Sequence, residues 1–283
     1  MARPAPGAYT PRVHRAPEQS ARSAPTGHVG PLLRQWRAAR RVSQLDLALD
    51  ADVSSRHLSF VETGRAQPSR EMVLRLAEAL EVPLRERNAL LLAAGYAPLY
   101  RETGLGAPEM VDARHAVEFI LAQQEPYPAI VVDRHWNLLL ANQATHRFFA
   151  MFLDAPPAGT PNAMRLIFHP QGLRPFVENW DEVARHLVER VHREAAGPPD
   201  AATRALLEEL LGYPGVPSGW RTPQLDRAPA PLLGIVYRKG DVRLSVFSTI
   251  TTFGTPQDVT LQELRIECFF PADEATRALF AKR

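Results

Sequence analysis

Residues 43–65 read SQLDLALDADVSSRHLSFVETGR, and no other stretch of the chain limits its possible folds so narrowly. The spacing predicts two short helices around a tight turn. Ser43 opens the first, with Asp46 three residues on, a capping-box-like pair. Ser54 opens the second and Gly64 closes it. On a 3.6-residue wheel Leu58 and Val61 fall together and face inward. Arg56, Ser59 and Phe60 lie opposite, with Ser55 at the edge of that face. A helix that depended on burial alone would not need an exposed phenylalanine beside an arginine. Against a DNA major groove the set makes sense. Arg56 can donate two hydrogen bonds to guanine O6 and N7, Phe60 can touch a thymine methyl, and Ser55 and Ser59 can bond to bases or phosphates. Gln44, at the start of the preceding helix, is placed to reach a phosphate.

The surrounding residues extend this unit. Five helices are predicted over residues 28–95: about Val29–Arg40, the two just described, one opened by Pro68-Ser69 and running through Leu80, and one over about Leu84–Ala94. Met72, Val73, Leu76, Ala79 and Leu80 recur at helical spacing. Residues 1–27 are rich in Pro, Ala, Ser and Arg, without periodicity, and read as a disordered basic tail. Residues 96–107 hold three Gly or Pro breakers and read as a linker.

These residues resemble the XRE family of helix-turn-helix regulators over about Leu32–Leu92. The resemblance rests on SQLDLA, VSSRHLS, the E-x-G at Glu62–Gly64, Pro68-Ser69, and V-x-x-L-A-x-A-L-x-V from Val73 to Val82. The family's turn usually has Gly where this chain has Asp52, a residue that tolerates the left-handed conformation. The resemblance implies that Arg37 pairs with Glu62, tying the first helix to the reading helix.

At 283 residues the chain is too long for this module alone, which leaves a second domain over 108–283. A helix is expected at Pro108–Gln124, then strands at Pro128–Asp133 and Trp136–Ala141. Helices follow at Asn142–Met151, Pro161–Phe168, Pro175–Ala195 and Ala201–Leu211. A Pro- and Gly-rich loop covers Gly212–Pro231. Strands at Leu233–Arg238, Val242–Thr252 and Gln262–Phe270 and a helix at Ala272–Ala281 complete the chain. The expected fold is therefore an all-α domain of five helices, then an α+β domain with a mainly antiparallel five-stranded sheet.

Within it, D-x-x-W-x-L-x-x-x-N-x-A (Asp133, Trp136, Leu138, Asn142, Ala144) resembles the opening hairpin and first helix of a PAS-like domain. Taken with RHLSFVETGRAQPSREMVLRLAEALEVPLRERNALLLAAGYAP, N-A-M-R-L-I-F-H-P and N-W-D-E-V-A-R, the chain is similar to the MmyB-like transcription regulators over about residues 28–272. That resemblance implies an XRE helix-turn-helix domain followed by a PAS-like ligand-binding domain whose pocket can hold a long-chain fatty acid. Such a ligand needs an apolar tube and a donor for its carboxylate. Trp136, Phe168, Phe176, Trp180, Phe247 and Ile250 are candidates for the tube, as are Phe148, Phe149, Ile167 and Phe253. Arg165 and His169, one helical turn apart, are candidates for the head group, with Asn142 and Arg174 behind them.

Other chemistry finds little support. Glu189-x-x-His192, with His186, has half of a di-iron carboxylate pattern and no matching half. Cys268 sits in an apolar run and reads as a small buried hydrophobe rather than a nucleophile. No apolar run approaches the roughly 18 residues of a membrane span. Net charge is only +2, with the basic excess at the N-terminal end. The expectation is a cytoplasmic, non-enzymatic regulator with no cofactor. It would bind an operator in double-stranded DNA as a homodimer and sense a small apolar ligand, a fatty acid as effector. The alternatives are a second domain that serves only dimerisation or protein contacts, and an acyl-processing enzyme with a DNA-binding appendage.

Overall fold

The computed structural model describes residues 29–155, 159–196, 200–222 and 232–281. The tail expected at 1–27 and part of the loop expected at 212–231 lie outside the described residues. The chain divides into two compact units. One takes the residues up to Leu80 and Leu90–Ala97; the other takes Glu81–Ala89 and the chain from Pro98.

The first unit is helical: α1 (Val29–Arg40), α2 (Gln44–Asp50), α3 (Ser55–Glu62), α4 (Arg70–Ala79) and, in part, α5 (Leu84–Ala93). Three of these helices start at serines in extended backbone. Ser43, Ser54 and Ser69 accept the N–H of Asp46, His57 and Met72 at 3.1, 3.4 and 3.2 Å. Each such cap contributes about 1 kcal/mol. Asp52 adopts φ 50° in the turn between α2 and α3, and Gly64 adopts φ 73° just after α3. Leu33, Leu47, Leu58, Val73 and Leu76 are fully buried and form the centre of the unit. Gly30 is where α1 meets the end of α3. A Cβ there would lie 2.5 Å from the Glu62 carbonyl oxygen and 2.6 Å from that of Val61.

The second unit begins with α6 (Val111–Gln123), β1 (Ala129–Val132), β2 (Leu138–Ala141), α7 (Gln143–Phe152), α8 (Ala163–Phe168), α9 (Trp180–Ala195) and α10 (Ala201–Gly212). It ends with β3 (Gly234–Lys239), β4 (Val242–Thr251), α11 (Val259–Glu263), β5 (Arg265–Pro271) and α12 (Glu274–Ala281). The five strands form one antiparallel sheet in the order β2-β1-β5-β4-β3. Both faces are covered, so β1 is buried throughout. Ile130 and Val132 enter the larger core with α7 to α10 and α12; Ala129 and Val131 enter a smaller one with Val117 and Leu121 of α6. Cys268 is a buried free thiol in the smaller core, as its apolar neighbours predict, and burial pushes its pKa up.

Several element boundaries differ from the sequence reading, two of them for reasons the contacts make plain. The helix expected from Pro175 starts only at Trp180, because Val177 bridges to Tyr237 and the residues before it form a separate 3-10 turn. The strand expected from Gln262 starts at Arg265. Asp258 accepts the N–H of Thr260 and caps α11, which takes Gln262 and Glu263.

The start of α5 is tied into the second unit by polar contacts. The Leu84 N–H donates to Gln262 Oε1 at 2.6 Å. Arg85 makes two-pronged pairs with both Glu263 (2.7 and 2.9 Å) and Glu102 (2.8 and 2.5 Å). These carboxylates, Glu263 foremost, hold the guanidinium far into its charged form. Glu263 also pairs with Arg134 at 3.3 Å, and Arg134 with Asp200 at 2.9 Å.

Candidate functional site

In the first unit α3 buries Leu58 and Val61 and exposes Ser55, Arg56 and His57; Ser59 and Phe60 are half-buried on the same outer side. The Arg56 guanidinium lies over the Phe60 ring at 5.5 Å, so the two side chains extend together from one face. The other end of α3 is anchored. Glu62 is 2% exposed and accepts from Arg37 Nε at 2.9 Å and Nη2 at 3.1 Å, and from Gln44 Nε2 at 2.9 Å. The hydrogen bond to Glu62 raises the Arg37 pKa. One carboxylate thus binds α1, α2 and α3 together, and α3 cannot rotate its outer face without breaking a charge-assisted fork. The Arg37–Glu62 pair implied by the XRE resemblance is present. Gln44 has a part the sequence did not suggest: its carboxamide braces this clamp.

In the second unit, a cavity of about 90 Å³ lies between the sheet and α7, α8, α9 and α12. Its walls are apolar, among them Ile130, Trp136, Leu138, Phe148, Phe149, Met164, Ile167 and Phe280. Four polar side chains line it: Thr145, Arg190, Tyr237 and Glu267. The Thr145 hydroxyl is engaged, donating to the Ala129 carbonyl at 2.9 Å. Glu267 accepts from the Ser248 hydroxyl at 2.6 Å. Burial raises its carboxyl towards the neutral form, although Ser248, Arg190 and Arg265 act against this. Burial likewise raises the Tyr237 phenol and lowers Arg190.

Trp136 organises the edge of this cavity. It sits at φ 68°, a left-handed conformation that is uncommon for a bulky residue. The turn that forces it there is built by Asp133, whose carboxylate accepts from the His135 and Asn137 N–H groups at 2.8 and 2.9 Å and from Asn137 Nδ2 at 2.8 Å. Asn162 locks the turn to α8. It donates to the His135 carbonyl at 2.7 Å, while its Oδ1 accepts from the Met164 and Arg165 N–H groups that open the helix. Held this way, the indole N–H donates to Glu194 at 3.0 Å, and the Arg190 and Arg265 guanidiniums each lie 4.6 Å from the ring centroid.

The model of the MmyB-like transcription regulator ligand binding domain matches residues 113–282, more than half of the chain. The chain belongs to the MmyB-like transcription regulators. A helix-turn-helix domain model matches residues 28–90, so the chain is a DNA-binding transcription regulator. No curated protein gives a match. Among solved structures, the chain is similar to the restriction-modification controller protein C.AhdI from Aeromonas hydrophila, at 32% identity over 22% of this chain and 94% of that one, with a TM-score of 0.21. It is also similar to the clp gene regulator ClgR from C. glutamicum, at 33% identity over 25% of this chain and 87% of that one, with a TM-score of 0.22.

Within this MmyB-like regulator, the structure gathers part of the ligand set expected from sequence: Trp136, Phe148, Phe149 and Ile167 line the cavity. Asn142 does not; it caps α7, accepting from Ala129 and Thr145 N–H at 3.0 Å each and donating to the Tyr127 carbonyl at 2.8 Å. Arg165 points outward and forms a two-pronged pair with Glu209, 2.8 Å at each prong, which raises its pKa. His169 is exposed and accepts from the Gln171 N–H at 3.1 Å. The inward positions of the six-residue α8 are Met164, Ile167 and Phe168, which leaves Arg165 and His169 on its outer side. Phe168 and Trp180 pack edge to face at 5.8 Å and Phe176 packs on Phe152 at 5.6 Å, away from the cavity wall. Phe247 stacks on Phe270 at 5.5 Å, and Ile250 is half-buried at the margin of the larger core.

Arg190, Tyr237 and Glu267 were missed, though signals for two of them were present. Val183, Leu187 and Arg190 share one face of α9 at helical spacing, so an arginine interrupts an inward stripe. Glu267 alternates with Ile266 and Cys268 in β5, which puts a carboxyl on the opposite face of the sheet, where the cavity lies.

Proposed function

We propose that this regulator senses a small apolar ligand in its second domain, a long-chain fatty acid, and adjusts DNA binding by a homodimer accordingly. The observation that carries the reading is the cavity walled by apolar side chains inside the second unit, with an arginine in its lining. At about 90 Å³ it falls below the roughly 300 Å³ of a fully formed ligand pocket. A long chain therefore enters only as the surrounding helices part, and that movement gives a ligand its leverage over the rest of the chain. On the DNA side, Ser55, Arg56, Ser59 and Phe60 read bases while Gln44 steadies the backbone contact. Two copies suit a two-fold operator, since one such module covers little DNA.

Purified protein examined by native mass spectrometry and lipid extraction is expected to carry an acyl ligand or to take one up. Protein that stays empty in the presence of added fatty acids refutes the sensing role and leaves a domain for dimerisation or protein contacts. Arg56→Ala is expected to bind DNA with its sequence preference lost; an unchanged preference in a binding-site selection removes Arg56 as a base reader.

A further inference from the structure

The polar groups of the cavity are unevenly matched. Arg190 and Arg265 both lie over Trp136, yet Glu194 is the one carboxylate ion-paired with either among the described residues. Glu194 lies closer to Arg265, at 2.9 Å, although Arg265 Nη1 makes no well-aligned hydrogen bond among the described residues; its nearest approach to Arg190 is 3.7 Å, too long for a hydrogen bond. The Arg190 side chain is 31% exposed and lines the cavity. Glu267 does not answer it fully, since that carboxyl already accepts from Ser248 and burial favours its neutral form.

The second unmatched group is Tyr237. Its side chain is 3% exposed and lines the cavity, and its hydroxyl makes no hydrogen bond among the described residues. A hydroxyl that lines a cavity and has no protein partner is satisfied most simply by what enters that cavity. An unanswered guanidinium and an unanswered hydroxyl on the same apolar cavity describe a receptor for an anionic, acceptor-only group. A carboxylate offers two such oxygens, one for each donor.

We propose that Arg190 and Tyr237 form the head-group end of the cavity and select ligands that carry a carboxylate over uncharged ligands of the same chain length. This rests on the ligand-sensing reading above and replaces Arg165 and His169 as the acid-binding pair. It also gives Trp136 a positioning role, because the ring supports Arg190 from its left-handed turn.

Calorimetric titration of the full chain with octanoate and with 1-octanol tests it. Octanoate is expected to bind about tenfold or more tightly than 1-octanol, as a charge-assisted pair requires. In Arg190→Gln the preference is expected to fall to about threefold or less, with 1-octanol still bound. Tyr237→Phe keeps the buried ring and therefore the fold, and is expected to weaken octanoate about threefold to tenfold. Equal binding of the two ligands by the unaltered protein overturns the inference and leaves the apolar cavity standing as a ligand site. A preference that survives in folded R190Q overturns the assignment of Arg190, and octanoate binding unchanged in Y237F overturns that of Tyr237. Binding of neither ligand overturns both this inference and the sensing role.

Discussion

Gly30→Ala reverses the usual rule for helices, and the sign of its effect tests the helix-turn-helix packing. At an ordinary helical position the change stabilises by about 0.5–1 kcal/mol, because glycine loses more backbone freedom on folding. Here the new Cβ would lie 2.5 Å from the Glu62 carbonyl oxygen, 2.6 Å from that of Val61 and 2.8 Å from the Glu62 carbonyl carbon. All three are backbone atoms of α3, so no side chain can swing aside. Relief requires α1 to move away from α3, which also strains the fork from Arg37 to Glu62 at 2.9 and 3.1 Å. Overpacking of this kind costs about 1–3 kcal/mol, enough to outweigh the helix-propensity gain in most of that range. A net loss of about 1–2 kcal/mol lowers the melting temperature of a domain this size by roughly 5–15 °C. Hydrogen exchange read by mass spectrometry along a urea titration reports the α1–α4 peptides separately from the second unit. The expected result is earlier opening of those peptides, with α6 to α12 unchanged. Stabilisation of the α1–α4 peptides would refute the close approach of α1 to α3.

Three further outcomes follow from the same contacts. Glu62→Ala leaves Arg37 and Gln44 without their shared acceptor and is expected to cost about 2–3 kcal/mol in chemical denaturation, with DNA affinity falling in parallel. Asn142→Ala removes a buried residue that serves Ala129, Thr145 and Tyr127 at once; it is expected to destabilise the second unit by about 2–4 kcal/mol, while any folded fraction retains the carboxylate preference. Burial pushes the Asp200 carboxyl up, but hydrogen bonds from Thr203 and His135 and the charge of Arg134 prevail and hold it at about 2, against 3.8 when unfolded. Its folded pKa is depressed, so its contribution is present above pH 3.8 and is lost as pH falls towards 2. Allowing for solvent screening, acid titration of Asp200→Asn should lack no more than about 2 kcal/mol of the loss seen in the unaltered protein, and identical acid sensitivity would exclude this network.

The parts of the molecule legible in sequence are those set by short-range chemistry. Ser43, Ser54 and Ser69 cap their helices through an N–H three residues away, and Asp52 needs only its own backbone to take φ 50°. The orientation of α3 followed because Leu58 and Val61 leave one face for everything polar. Arg165 and His169 show where such reasoning stops. Their spacing puts them on one side of α8, but which side faces inward is set by Asn162 and by Glu209, 44 residues further on. Arg190 shows the converse. In HLVERVH the histidines have the spacing of metal ligands, while the arginine in the inward stripe carries the informative charge. Tyr237 gives no local signal at all. Its importance lies in a hydroxyl without a hydrogen bond among the described residues, which is a property of the assembled cavity.

The anchoring of α5 bears on how the chain can be taken apart. A fragment that stops at Gly95 matches the helix-turn-helix as its sequence outlines it, yet it omits Gln262, Glu263 and Glu102. Its last helix would then begin with Leu84 lacking the Gln262 carbonyl and Arg85 lacking both carboxylates. Fraying at that end would weaken the fragment for reasons unrelated to the reading helix. An excised DNA-binding domain is therefore a poor baseline for this regulator. The appropriate reference is the intact chain carrying single substitutions, in which α5 keeps its footing.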